Sequence, residues 1–317
     1  MKYKVFIDGK EGTTGLRIYE RFLNRDDIEL ITISDELRKD INERKKCINS
    51  SDVTFLCLPD SASIEAVSLL ENNHTKIIDA STAHRTLDNW AYGFPELSDE
   101  HLNKIKTNQF VAVPGCHASG FIAIIYPLIK CGIIDKNYPV SCNSITGYSG
   151  GGKKMITDYD TTNDVNYQAP RLYAMAQEHK HLKEMKRITG LELEPIFNPI
   201  VSNFYSGMMV SIGIHNKLMN KKMTAKELHS FYSDYYKNKE FVSVLEYNPK
   251  GTDSGFLSAY TLSGYDNMYI LVNGNDERIC ITAVYDNLGK GASGAAIECM
   301  NIMLGLDPKK GLNLKED

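Results

Sequence analysis

The run Lys2-Tyr3-Lys4-Val5-Phe6-Ile7-Asp8 breaks into Gly9-Lys10-Glu11-Gly12-Thr13-Thr14-Gly15 and passes at once into a helical pattern of Leu16, Tyr19, Phe22 and Leu23. No other stretch constrains the fold as much. A strand that becomes a helix through glycines at GxxGxxG spacing lets the main chain pass close to a pyrophosphate lying on the helix N-terminus. On that reading Gly9, Gly12, Thr13, Thr14 and Gly15 form the phosphate turn; the competing reading is a plain βα turn. Further apolar strands follow at Ile28–Ile33, Val53-Thr54-Phe55-Leu56-Cys57-Leu58-Pro59 and Lys76-Ile77-Ile78-Asp79-Ala80, with a helix expected over 61–73. Short apolar strands alternating with helices imply a parallel sheet covered on both faces. The second strand ends at Ser34-Asp35-Glu36-Leu37-Arg38, where such a fold reads the adenosine ribose. Asp35 would take a free 2′-hydroxyl, whereas Ser34 with Arg38 suits a 2′-phosphate, and the reading leans to NADP.

Two later stretches carry reactive groups. Val113-Pro114-Gly115-Cys116-His117-Ala118-Ser119-Gly120-Phe121 places Cys116 at the mouth of a helix, where unpaired N–H groups and the helix dipole stabilise a thiolate. The alternative is a small core cysteine. The stretch from Tyr167 to Met185 reads as one helix with Pro170 in its first turn, which would set His179 and His181 about 200° apart, too far round to serve one thiol equally. Glu184 would lie within reach of His181. Arg85, after the strand that ends at Ala80, is a candidate clamp for a carboxylate or phosphate. The glycines of Ser149-Gly150-Gly151-Gly152-Lys153-Lys154 either expose amides to an anion or form a flexible turn.

At 317 residues, 42% hydrophobic and 24% charged, the chain has room for two ordinary globular cores. A net charge of −4 without a dense basic patch argues against nucleic acid as a partner. Its longest apolar run is too short to span a membrane, and a cytoplasmic location is expected. Seven scattered cysteines with no CxxC pair point to neither a disulfide framework nor a zinc site, so no metal is expected. The fold class read from these patterns is α/β: a Rossmann-type domain of residues 1–116 and 288–317, with an inserted α+β domain of residues 117–287 built on a mainly antiparallel sheet.

Gly9-x-x-Gly12-x-x-Gly15, Leu56-Cys57-Leu58-Pro59-Asp60, Ile78 to Arg85, Tyr92-Gly93-Phe94-Pro95-Glu96-Leu97, Pro114-Gly115-Cys116, Gly147-Tyr148-Ser149-Gly150, His179-x-His181 and Asp286-Asn287-Leu288-Gly289-Lys290-Gly291-Ala292 occur in one order. Together they resemble the short type of the N-acetyl-γ-glutamyl-phosphate reductase family, within the semialdehyde dehydrogenase superfamily. The resemblance implies NADPH-dependent reduction of N-acetyl-glutamyl 5-phosphate to the 5-semialdehyde in arginine biosynthesis, with phosphate released. It implies Cys116 as the nucleophile that forms a thioester and His179 as the acid/base, with Arg85, His181, Glu184 and Ser149 at the substrate. Ser34, Arg38, Cys57, Leu58, Pro59 and Asn287 would join the glycine turn at the cofactor. A homo-oligomer, dimer or tetramer, is implied as well. Three readings compete with this one: a sister enzyme acting on aspartyl or amino-adipyl phosphate, an inactive NADP-binding sensor, and a cysteine hydrolase. The hydrolase leaves the glycine turn without a purpose.

Overall fold

A computed structural model describes residues 2–316. The chain divides into two compact units, residues 1–114 with 292–312 and residues 115–291 with 313–317.

The first unit runs β1 (Tyr3–Asp8), α1 (Thr13–Phe22), β2 (Ile28–Ile31), α2 (Ile41–Ser50), β3 (Val53–Leu56), α3 (Asp60–Ser68), β4 (Lys76–Asp79), β5 (Ala91–Tyr92), α4 (Asp99–Thr107) and β6 (Phe110–Ala112). The sheet order is β2-β1-β3-β4-β6-β5, every pairing parallel. Side chains alternate across a strand, and here both parities are apolar. Val5, Ile7, Val53, Phe55, Ile78 and Val111 form one core with Ile18, Phe22 and Ile105. Phe6, Leu56, Ile77 and Ala112 form another with Cys47, Ile48, Ala66 and Trp90. A sheet buried on both faces needs that pattern. The chain returns late in sequence as a wholly buried helix that fills the first of these cores, Gly294–Met303. It packs so closely that a Cβ on Gly93 would lie 3.0 Å from Cys299 Sγ.

The second unit contains α5 (Cys116–Lys130), β7 (Ser141–Gly147), α6 (Gly152–Thr161), β8 (Arg171–Leu172), α7 (Leu182–Thr189), β9 (Ile196–Ser202), β10 (Met208–His215), α8 (Ala225–Tyr235), β11 (Val242–Val244), β12 (Met268–Gly274) and β13 (Arg278–Tyr285), so that the returning helix of the first unit is α9. Its sheet, β11-β12-β13-β10-β7-β9-β8, is antiparallel except at β7/β9 and β11/β12. The α/β class with a parallel sheet and a second, mainly antiparallel one is as the sequence indicates.

One expectation fails. Residues 167–185 are not a single helix. A short 3-10 turn ends at Gln168, β8 pairs antiparallel with β9, and α7 begins only at Leu182. The edge of β9 explains the difference. Tyr173 N–H bonds to Pro199 C=O, and the Gln177 side chain then substitutes for a strand, its amide donating to Phe197 C=O (2.9 Å) and accepting Phe197 N–H (2.8 Å). Ala174 and Gln177 take left-handed conformations (φ 51° and 58°), which break any helix there.

The helix that carries Cys116 is apolar all round and contains Pro127. Proline has no N–H to offer the carbonyl four residues back, that of Ala123. From the end of α8 the Tyr236 hydroxyl donates to that carbonyl at 2.6 Å, and Tyr232 donates to Ile124 C=O at 2.6 Å. Replacing Tyr236→Phe strands a buried carbonyl and should cost about 1–3 kcal/mol in denaturant unfolding while leaving the circular dichroism spectrum unchanged. Unaltered stability would mean that the Pro127 gap is closed by another group.

Candidate active site

In the first unit the glycine turn lies at the carboxyl end of β1, beside the end of β3, where the strand order reverses direction and open α/β sheets bind ligands. Gly9 is left-handed (φ +84°), and a Cβ there would stand 2.4 Å from Cys57 C=O. A Cβ on Gly15 would meet Gly9 C=O at 2.5 Å. Gly9 therefore lets the turn lie flat against the β3 end and Gly15 lets α1 start close against the turn, and neither tolerates a side chain. Helix α1 has no side-chain cap at Gly12 and no acid in its first turn, and the buried Thr13 hydroxyl has no partner among the described residues. A helix start with open amides, no carboxylate and an orphaned hydroxyl fits the diphosphate of a dinucleotide.

Cys57 contributes its main chain to this turn. Its thiol is pushed far up by burial and then by Asp79 and Asp8, so it stays neutral. Leu58 presents a methyl to Gly9 and Pro59 caps α3. Ser34 and Arg38 are exposed beyond β2, with the Ser34 hydroxyl bonded to Glu36. Arg85 is buried and braced, its Nε donating to Val113 C=O (2.8 Å) and its Nη2 to Ala80 C=O (3.0 Å). The loop before it is held by the Asp79 carboxylate, which accepts from Ser81 N–H, Ser81 Oγ and Ser63 Oγ.

In the second unit Cys116 is the first residue of α5 and is half-buried. Three groups hold the turn around it. Glu184, 2% exposed on α7, accepts the N–H of Gly115 at 2.7 Å. Tyr285 donates to the Cys116 carbonyl at 2.6 Å. Gly291, in the π-helical turn Gly289–Ser293, stands where a Cβ would lie 3.1 Å from Cys116 Cβ.

Next to the cysteine is a ring cluster. His179 and His181 are 4.6 Å apart between centroids and lie 5.7 and 5.8 Å from His117, with Phe197 against His179 at 5.1 Å. The helical separation of about 200° expected of the two histidines does not exist, because neither lies within a helix. His181 N–H instead donates to Nδ1 of His179 at 3.2 Å, which orients that ring. His117 bonds Ser144 Oγ through Nδ1 (2.6 Å) and Tyr173 Oη through Nε2 (2.6 Å). Burial, then the nearby His179 and Lys180, push its pKa down to about 3, so the ring is neutral. Tyr173 is held as a neutral phenol by burial first and by the neighbouring Cys116 second.

Ser149 and Asn287 meet in the same unit. Asn287 Nδ2 donates to Ser149 Oγ at 3.0 Å while its Oδ1 accepts Gly207 N–H at 2.9 Å. Sequence reasoning passed over His117, Ser144, Tyr173 and Tyr285. His117 adjoins Cys116 in sequence and could have been marked; the others become neighbours only through the sheet. Among the described residues no cluster of His, Cys, Asp or Glu could hold a metal ion.

Comparison with known proteins bears on both units. Residues 4–105 match the model of the semialdehyde dehydrogenase NAD binding domain, and residues 116–287 match that of the semialdehyde dehydrogenase dimerisation domain. The chain is 43% identical to an N-acetyl-gamma-glutamyl-phosphate reductase of Trichormus variabilis, covering 98% of this chain and 99% of that one. A homologue of the same name in Brucella ovis is 40% identical, over 96% and 100%. Among solved structures, aspartate semialdehyde dehydrogenase from Francisella tularensis superposes with a TM-score of 0.71 at 15% identity, covering 95% of this chain and all (100%) of that one, a likeness of fold. Domain models and near full-length relatives agree: the chain belongs to the semialdehyde dehydrogenases, in the N-acetyl-gamma-glutamyl-phosphate reductase family.

Proposed function

We propose that the chain reduces N-acetyl-glutamyl 5-phosphate to N-acetyl-glutamate 5-semialdehyde with NADPH, through a thioester on Cys116, as a cytoplasmic homo-oligomer of arginine biosynthesis. The observation that carries this is the first turn of α5, where one half-buried thiol sits among open helix amides beside a cluster of imidazoles. A thiolate there attacks the acyl carbon, the C–O bond to phosphate breaks, and inorganic phosphate leaves. When bound, the reduced nicotinamide supplies the hydride that turns the thioester into a thiohemiacetal. Its oxygen needs a proton, which must be removed again as the C–S bond breaks to release aldehyde and thiolate.

His179 is assigned that transfer. His117 is fixed neutral with both nitrogens engaged, and His181 is buried at the start of α7. His179 is only half-buried. Glu184 acts on the site through Gly115 N–H. Arg85, anchored at two carbonyls, would present a rigid guanidinium to a substrate carboxylate or phosphate. Ser149, tied to Asn287, would order the loop that borders the substrate.

The dinucleotide would lie on Gly9, Gly12, Thr13, Thr14 and Gly15, with Leu58 and Pro59 alongside. Since Ser34 is engaged by Glu36, recognition of a 2′-phosphate would fall mainly on Arg38.

With the semialdehyde as substrate, the chain should reduce NADP only when phosphate or arsenate is present, and Cys116→Ser should abolish this while leaving NADPH affinity intact. Turnover without either anion, or in Cys116→Ser, would refute the thioester route. A second expectation concerns acid. In the native state His117 resists protonation down to about pH 3, whereas in the unfolded chain it takes a proton near 6.5. Below about pH 6.5 the unfolded state therefore binds the extra proton, and stability falls by up to about 1.4 kcal/mol per pH unit from this group. His117→Gln should flatten the loss of melting temperature between about pH 6.5 and 5; parallel curves for variant and wild type would contradict a buried neutral imidazole.

A further inference from the structure

Tyr285 closes β13 and is wholly buried. Its hydroxyl donates to the carbonyl of Cys116 (2.6 Å) and accepts the N–H of Gly120 (3.0 Å). Those two groups, four residues apart, are the pair that a regular helix joins directly. A phenol oxygen thus bridges the pair one residue after the Ser119 N–H to Gly115 C=O bond (2.9 Å) that opens α5, at the residue that bears the nucleophile. The ring reaches it because residue 120 is glycine: a Cβ there would lie 2.7 Å from Tyr285 Cε1 and Oη and 2.9 Å from Val210 Cγ2.

We infer that Tyr285 is a positioning residue for Cys116, its hydroxyl setting the aim of the thiol and its readiness to ionise. The inference rests on the proposed role of Cys116 as nucleophile. The peptide whose carbonyl accepts from Tyr285 carries the N–H of His117, one of the first-turn amides that favour an anion at a helix start. Donation to that carbonyl polarises the peptide and makes the N–H a stronger donor toward a thiolate. Burial first, and the neighbouring Cys116 second, push the ionisation of Tyr285 well above the usual phenol range, so its hydroxyl keeps the proton it donates. The other titratable groups around this turn are Glu184 on α7, Cys142 on β7, and Tyr173, His179, Lys180 and His181 before α7, with His117 on α5 itself; Tyr285→Phe leaves each of these side chains in the protein.

The structure contains its own control. Tyr232 also donates a buried hydroxyl to a carbonyl of α5, but at Ile124 (2.6 Å), two turns further on. Tyr285→Phe and Tyr232→Phe would be compared by the pH dependence of iodoacetamide alkylation at Cys116, read by peptide mass spectrometry, and by kcat and KM. Both variants should lose stability. Only Tyr285→Phe should move the alkylation midpoint to higher pH and lower kcat about tenfold, with KM within about twofold of wild type. An unchanged profile and kcat in Tyr285→Phe, or equal shifts in both variants, would overturn the inference. If Tyr285→Phe does not fold, 3-fluorotyrosine placed at 285 alone, a stronger donor of nearly the same size, should move the midpoint to lower pH; no movement would overturn the inference equally. Alkylation needs no substrate, so absent turnover in wild type would count against the proposed reaction and leave this test standing.

Discussion

The first turn of α5 must leave amides open for an anion and still hold its cysteine in one place. A helix start is ordinarily satisfied by a capping side chain or by water, and either would occupy the space a substrate needs. Here the hold comes from behind. Glu184 takes the N–H of Gly115, Tyr285 takes the carbonyl of Cys116, and Gly291 lets the π-helical turn close against the Cys116 side chain. The glycine turn before α1 meets the same demand differently. It has no cap and no acid, and its shape is imposed by Gly9 and Gly15 lying flat against neighbouring main chain.

Anchoring the nucleophile helix has a cost, which its packing offsets. A helix buried along most of its length has little wet surface on which a broken hydrogen bond could be repaired, yet α5 contains Pro127. The tyrosines of α8 and β13 supply three buried hydroxyls to it, at Cys116, Ala123 and Ile124. A mostly apolar helix thus borrows polar partners from the elements packed on it, and its first turn is ordered by the same means as the carbonyls before Pro127.

The parallel sheet was legible in the sequence because burial on both faces writes apolar residues at both strand parities, as in Val5-Phe6-Ile7 and Ile77-Ile78. The glycine turn was legible because only glycine allows such an approach of main chain to main chain. The placement of Cys116 at a helix mouth followed from Pro114-Gly115. The histidine segment was not legible. Its residues have helical propensity, but Gln177 uses its side-chain amide to pair with the edge of β9, and a tertiary hydrogen bond of that kind leaves no periodic trace. The contacts of Tyr285 and Tyr173 were hidden for a similar reason, since one reaches α5 from β13 and the other from the segment after β8, both distant in sequence.

In the proposed reaction the acyl carbon passes from phosphate to the sulfur of Cys116 before it is reduced. Mixing the protein with N-acetyl-glutamyl 5-phosphate in the absence of any nicotinamide, quenching in acid and mapping peptides by mass tests it directly. One N-acetyl-glutamyl group is expected on the Cys116 peptide, released by hydroxylamine, with phosphate liberated in equal amount. Phosphate release without acylation of Cys116, or acylation at another residue, would contradict it.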